Sequence, residues 1–212
     1  MKTITKRILS GVCAGVMVTL GGSTFLACEE KIIAAVLFCV ALVGICAHGY
    51  SLYTGRIGYL PAEHSREDVS VTFLGLLGNA IGVSLIGLAI RFTRSELALR
   101  AKNLCEGKLE QTLPDAFLRA IMCGILMYIA VSVWKEQKSR VGIFFAIPVF
   151  VMGGFEHSIA DIFYFSVSGI VSLDAFLYIC LIILGNSLGS MLLPVLSGKA
   201  FAKKVGGEES GQ

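Results

Sequence analysis

The chain has 212 residues, 55% of them hydrophobic and 16% charged, with a formal net charge of +3 and a mean hydropathy of +0.78. A soluble domain carries about a quarter charged residues, so these values exclude a soluble fold and describe an integral membrane protein. The positive charge is too small and too dispersed for a nucleic-acid partner, and the seven cysteines stand singly, at 13, 28, 39, 46, 105, 123 and 180. With no Cys-x-x-Cys pair and no Cys/His ligand spacing, they read as small packing residues rather than a disulfide framework or a metal site.

Six apolar segments, Ile8–Ala27, Ile32–Thr54, Val69–Phe92, Ala116–Trp134, Val141–Val171 and Ala175–Leu196, each reach the roughly 20 residues a helix needs to cross a bilayer. The first follows a basic stretch, Met1 to Arg7, in the manner of a signal peptide. It is long and leads into a polytopic pattern, so it is expected to remain as the first span. The second is interrupted by His48-Gly49-Tyr50-Ser51-Leu52-Tyr53-Thr54-Gly55-Arg56, with Pro61 soon after. His48 at that break reads as a packing or interfacial residue, and His64 in the charged linker beyond it as solvated. The third span carries Leu77-Gly78-Asn79-Ala80-Ile81-Gly82.

The linker at 93–115 is basic. It could gather anions, although a solvated, partly helical connector explains it more simply. The fourth span ends in Trp134 beside Lys135, an interfacial anchor. The fifth contains Gly153-Gly154-Phe155-Glu156-His157-Ser158-Ile159-Ala160-Asp161 in an otherwise greasy run. Two readings stand there. In one, paired glycines break the helix and present His157 to an interior path, since irregular backbone at membrane depth is tolerated only where it lines protein or a cavity and intramembrane ionisable groups are costly. In the other, the segment is a helix end and Glu156 and His157 are wet.

The sixth span repeats the third-span motif as Leu184-Gly185-Asn186-Ser187-Leu188-Gly189. Three spans per half, an odd number, make the second copy inverted, a plan common among transport proteins, with the site where two discontinuous helices meet. The glycines permit close helix approach, and Asn79 and Asn186 can bond across the interface. The expected fold is therefore an all-α membrane protein of six transmembrane helices in two inverted three-helix repeats, with the second and fifth helices broken. It forms one transmembrane channel domain over 1–212, with halves at 1–105 and 106–200 and a frayed tail at 201–212.

Six spans put both termini on one side. Lys2, Lys6, Arg7, Arg56, Arg66, Lys135, Lys138, Arg140, Lys199, Lys203 and Lys204 share that side, against Lys31, Arg91, Arg94, Arg100, Lys102, Lys108 and Arg119 on the other. An excess of positive charge inside makes the termini cytoplasmic and the protein a multi-pass component of the cell's inner (plasma) membrane.

With both breaks in view, the chain resembles the formate/nitrite transporter family of small-anion channels. The residues that carry the resemblance are Gly-Phe-Glu-His-Ser-Ile-Ala-Asp at 154–161, Leu-Tyr-Thr-Gly at 52–55, the two Leu-Gly-Asn motifs and Gly-Ile-Leu at 124–126. The resemblance implies an aquaporin-like six-helix protomer, a homopentamer and one pore per protomer. It makes His157 the central pore histidine and Thr54 the loop threonine. It also implies an inner constriction of Phe38, Leu42 and Phe150 and an outer one of Leu52, Tyr53 and Val131. Without it, Phe38 and Phe150 read as packing or lipid-facing aromatics, and Leu42 and Val131 as core.

The chain departs from the family pattern at Ser51, where many members have Glu, and at Tyr128 and Asp161, where they have Asn. The family's vestibule lysine falls near Thr112 by ungapped spacing, with Lys108 as the nearest basic substitute for anion attraction.

An apolar constriction excludes a bare ion. An anion can cross if the pore offers hydrogen-bond donors or a proton, and a histidine with a pKa of about 6.5 suits both. His157 and the Thr54 hydroxyl are expected to bond the anion and His157 to be a source of its proton, while Glu156 holds backbone donors of the broken loop. The function expected is a channel or transporter for a small monovalent anion, formate or nitrite, with hydrosulfide as a further substrate. A neutral-solute channel for water or a small polyol is the alternative, distinguished by flux that ignores pH. A membrane enzyme is disfavoured by the absence of a nucleophile–base pair, a ligand cluster or a phosphate loop, and no cofactor is expected.

Overall fold

The computed structural model describes residues 2–198, apart from the side chain of Lys2. The tail, with Lys199, Lys203 and Lys204 from the charge count and the expected fraying, lies outside the described residues. Within them the chain forms helices α1 (Lys2–Ala27), α2 (Lys31–His48), α3 (Tyr53–Arg56), α4 (Arg66–Thr93), α5 (Ser95–Leu109), α6 (Leu113–Gln137), α7 (Val141–Met152), α8 (Ser158–Ser168) and α9 (Leu173–Leu196), with a short 3₁₀ turn at Ile57–Tyr59. Five of these, α1, α2, α4, α6 and α9, are long and apolar enough to cross a membrane, and α7 and α8 are shorter apolar helices. The protein is an all-helical, multi-pass membrane protein.

Local chemistry sets the helix ends. Ser65 and Asp68 form a reciprocal capping box at the start of α4. Thr112 accepts from the Asp115 N–H ahead of Pro114 at the start of α6, and Ser172 accepts from the Ala175 N–H to open α9. Gly49 ends α2 at φ 67° and Gly169 ends α8 at φ 72°, left-handed conformations that favour glycine. The second and fifth apolar segments are thus both interrupted, at 49–52 and 153–157.

The first span is present, and one expectation, the solvated linker, needs correction. Helix α1 starts at Lys2, ahead of the apolar run, and its Arg7 bonds Glu67 at 2.7 Å and Ser70 at 2.8 Å on α4. The 93–115 linker is not a solvated connector. Leu97, Ala101, Cys105 and Lys108, spaced four, four and three apart, form a buried stripe along α5. That stripe turns α5 inward against α8.

Two tight helix pairs frame the molecule, α1 with α4 and α6 with α9. Glycines let their backbones touch. A Cβ on Gly78 would collide with the Ile8 carbonyl, and one on Gly189 with the Ile121 carbonyl. Apolar side chains gain little by leaving lipid for protein, so such backbone contact is what holds membrane helices together. We expect Gly78→Val and Gly189→Val each to lower the thermal midpoint in detergent sharply. Gly107→Ala on α5, where a new methyl meets nothing within 4 Å, is expected to gain about 0.5–1 kcal/mol from helix propensity. Thermal unfolding monitored by circular dichroism checks all three.

Candidate functional site

The site is built from the two interruptions, each held by one buried asparagine. After α2, Asn79 accepts from the Tyr53 N–H at 2.8 Å and donates to the carbonyls of Ser51 at 2.9 Å and Gly11 at 2.8 Å. After α7, Asn186 accepts from the Ser158 N–H and donates to the carbonyls of Glu156 and Ala120, all at 2.8 Å. Each amide pins the backbone on both sides of one residue. In the first break that residue is Leu52, and in the second it is His157.

His157 also caps α8. Its Nδ1 accepts from the Ala160 N–H at 3.2 Å, so the network assigns the ring hydrogen to Nε2. Nε2 donates to Thr54 Oγ1 at 2.9 Å, joining the two breaks. Both residues are buried, Thr54 completely. Of the residues read from the sequence, this is the pair the structure brings together most directly.

A cavity of about 310 Å³ reaches His157 from the side of α5. Phe38 and Phe150 stand on its wall, edge to face with ring centroids 5.7 Å apart, and Phe150 lies 5.8 Å from the imidazole. Lys108, Gln111, Glu156 and Asp161 form its polar side. Lys108 Nζ bonds Glu156 Oε2 and lies 3.0 Å from Asp161 Oδ1, while Gln111 Nε2 donates to Glu156 Oε1 at 2.8 Å. Burial opposes the charge on Lys108, but Asp161 and Glu156 outweigh it and raise the ammonium's pKa above its usual range.

Other expected residues are placed differently. Lys108 does reach the cavity, but its charge is taken up by two carboxylates and is not free for an arriving anion. Thr112, the position given by ungapped spacing, caps α6 instead. The Glu156 side chain holds Lys108 and Gln111, not loop backbone; the backbone of the break is held by Asn186. Phe38 and Phe150 line the cavity together with Lys108 and Gln111, on the α5 side of His157.

Leu42, Leu52, Tyr53 and Val131 are buried but do not line this cavity. Val131 sits against the Thr54–Gly55 step, where a Cβ on Gly55 would lie 3.2 Å from its methyl. Tyr53 turns toward Phe73, its ring 6.1 Å away, and bonds Ser187 Oγ at 2.7 Å. His48 stacks on Tyr50 and is exposed, as is His64.

Gln111 and the pairing of Asp161 with Lys108 were missed by sequence reasoning. A second carboxylate in an apolar helix, five residues after Glu156, was the available signal for the latter.

The sequence model of the family described as "Formate/nitrite transporter" matches residues 1–198. The "Uncharacterized transporter YwcJ" of Bacillus subtilis (strain 168) is 26% identical over 188 residues, covering 79% of this chain and 73% of that protein. The "Formate channel FocB" of Escherichia coli (strain K12) is 24% identical over 182 residues, covering 73% of this chain and 64% of that protein. Among solved structures, a "Pentameric formate channel with formate bound" superposes with a TM-score of 0.73 at 19% identity, covering 95% of this chain and 99% of that one. An "FNT family ion channel" superposes with a TM-score of 0.74 at 17% identity, covering 94% and 89%. The structural likenesses establish a shared fold.

The buried cluster makes its own prediction. Removing one partner of a buried ion pair strands the other charge. Lys108→Met is therefore expected to cost about 3–5 kcal/mol, read as a lower denaturation midpoint in mixed detergent. Lys102→Met on the same helix breaks only an exposed pair with Glu106 at 3.8 Å, and is expected to change stability by less than about 1 kcal/mol.

Proposed function

The chain belongs to the formate/nitrite transporter family, a family of channels and transporters, and on that premise we propose that it conducts a small monovalent anion across the membrane. Formate and nitrite are the first substrates proposed, with hydrosulfide next. The anion is hydrogen-bonded at His157 and Thr54, between the Phe38–Phe150 wall on one side and the Leu52–Val131 region on the other. The observation that carries this reading is the 2.9 Å bond between His157 Nε2 and Thr54 Oγ1. It places the imidazole N–H and the threonine hydroxyl side by side where two broken helices meet, inside an apolar passage. An anion that gives up water there exchanges it for fixed donors, and charge-assisted bonds offset part of the cost of leaving solvent.

The same reading makes the fold an aquaporin-like arrangement of six crossings in two inverted three-helix repeats, α2 with α3 and α7 with α8 each forming one broken crossing. The matched bonds of Asn79 and Asn186 support it. The protomer assembles as a homopentamer in the inner membrane with both termini cytoplasmic, by analogy with the pentameric formate channel of the same fold and from the eleven-to-seven division of basic residues.

Purified protein in liposomes is expected to take up formate and nitrite. His157→Phe removes one donor to the anion and is expected to slow uptake roughly 10- to 100-fold, as for loss of a hydrogen bond to a charged group; Thr54→Val is expected to slow it about tenfold. Flux of all three anions is followed across about pH 5 to 8, the range in which a histidine titrates. Uptake by His157→Phe equal to wild type, or passage of glycerol without any of the anions, overturns the proposal.

A further inference from the structure

The geometry points to Asp161, rather than His157, as the group that holds and exchanges a proton in this pathway. The inference rests on the anion-channel reading above and adds the proton's address.

The starting point is an imbalance of charge. Lys108 brings one ammonium to two carboxylates, Glu156 and Asp161, and the three side chains are 10%, 3% and 1% exposed. Fully ionised, the cluster is one negative charge in excess in a place where water cannot screen it, and a buried unpaired charge is costly. One proton makes it neutral. Glu156 has a donor on each oxygen, from Lys108 and Gln111, and needs none. Asp161 receives Lys108 on Oδ1, whereas its Oδ2 is buried without a partner. A proton on Oδ2 turns that bare acceptor into an O–H donor, enclosed just behind the wall of the cavity that Asp161 lines together with His157.

The surroundings supply no competing charge. From α5 come Lys108 and Cys105, from α6 Cys123, from α9 Tyr178 and from α8 itself Tyr164; Arg119 of α6 also lines the cavity, but its charge is engaged by Asp115 and its Nη1 by the Gly154 carbonyl. Thiols and phenols with ordinary pKa values of about 8.5 and 10 are neutral at working pH. Helix α4 brings Arg91 to the far end of α8, against Gly169, and Arg7 on α1 is engaged by Glu67 and Ser70. The loop adds Glu156 and His157. The imidazole is poorly placed to supply a proton: its Nδ1 is occupied by the Ala160 N–H, so a second ring proton displaces the cap of α8, and its remaining N–H serves as a donor without being released.

The step balances simply. Rotation of the Asp161 carboxyl brings Oδ2 to the cavity, its O–H bond breaks, a new bond to hydrogen forms on the anion, and the anion proceeds as its neutral acid past Phe38 and Phe150. The cluster is left one charge negative, and a hydronium ion from the aqueous side of the cavity restores the proton. One proton therefore travels with each anion, and only conjugate bases of weak acids can use the path.

The test follows formate and nitrate uptake into liposomes carrying an internal pH dye, with wild type and Asp161→Asn. Wild type is expected to acidify the lumen in step with formate and to exclude nitrate, the anion of a strong acid. Asp161→Asn is expected to lose the acidification and the stimulation of formate uptake by acid. An unchanged ratio of protons to formate in Asp161→Asn overturns the inference. If His157→Phe is meanwhile inactive, the channel reading itself stands; if wild type carries neither anion, that reading falls first. The infrared spectrum of folded wild type offers a readout independent of variant folding. It is expected to show a protonated-carboxyl band at neutral pH that is absent from Asp161→Asn or moved in Asp161→Glu. No such band in wild type overturns the assignment.

Discussion

Breaking a helix inside a bilayer frees backbone donors and acceptors where no water can take them, and the rest of this structure depends on how that is resolved. Unpaired groups of that kind cost several kcal/mol each in hydrocarbon. Asn79 and Asn186 each take one N–H and one C=O at a break, and use their remaining N–H to bind a neighbouring helix, at Gly11 and Ala120. The amide is suited to this because it both donates and accepts. It reaches across because glycines on α4 and α9 bring the helix pairs into backbone contact. Close packing, paired breaks and a positioned His157 are consequences of one arrangement.

The same constraint fixes the chemistry of His157. A side chain at the start of a half-helix faces N–H groups with no intrahelical partner, and the imidazole answers one of them through Nδ1. That bond orients the ring and leaves Nε2–H directed at Thr54. The result is an N–H held in one orientation, engaged by the threonine oxygen. Thr54 is itself held, its carbonyl accepting from Ser190 Oγ at 3.4 Å, so neither partner is free to swing away.

Much of this was legible in the sequence, for reasons that can be stated. Glycine and asparagine recurring as Leu-Gly-Asn, and polar residues inside apolar runs, are local signals that survive without coordinates. His157, Asn79 and Asn186 were found that way, and Thr54 was picked out by the family resemblance. What failed required knowing where a connector lies in space. The 93–115 linker looks solvated because it is rich in charge, yet the stripe at Leu97, Ala101, Cys105 and Lys108 turns it inward. That fold-back delivers Lys108 to Glu156 and Asp161, and a spacing argument without gaps chose Thr112 instead.

The two breaks differ in what they pin, and the difference bears on conduction. The framework bonds correspond one for one: Ser51 with Glu156, Tyr53 with Ser158, Gly11 with Ala120. Between them stand Leu52 in one half and His157 in the other. A second imidazole at position 52 would place two fixed donors within one short dry passage, and a site that binds an anion tightly also retains it. Flux requires binding strong enough to admit the ion and weak enough to release it. On the proposed channel reading, the leucine pinned on one side excludes bare charge, and the histidine pinned on the other gives the anion a single point of attachment that it shares with the Thr54 hydroxyl. The backbone scaffold is duplicated while the chemistry is not, and on that reading the asymmetry suits the scaffold to passage rather than capture.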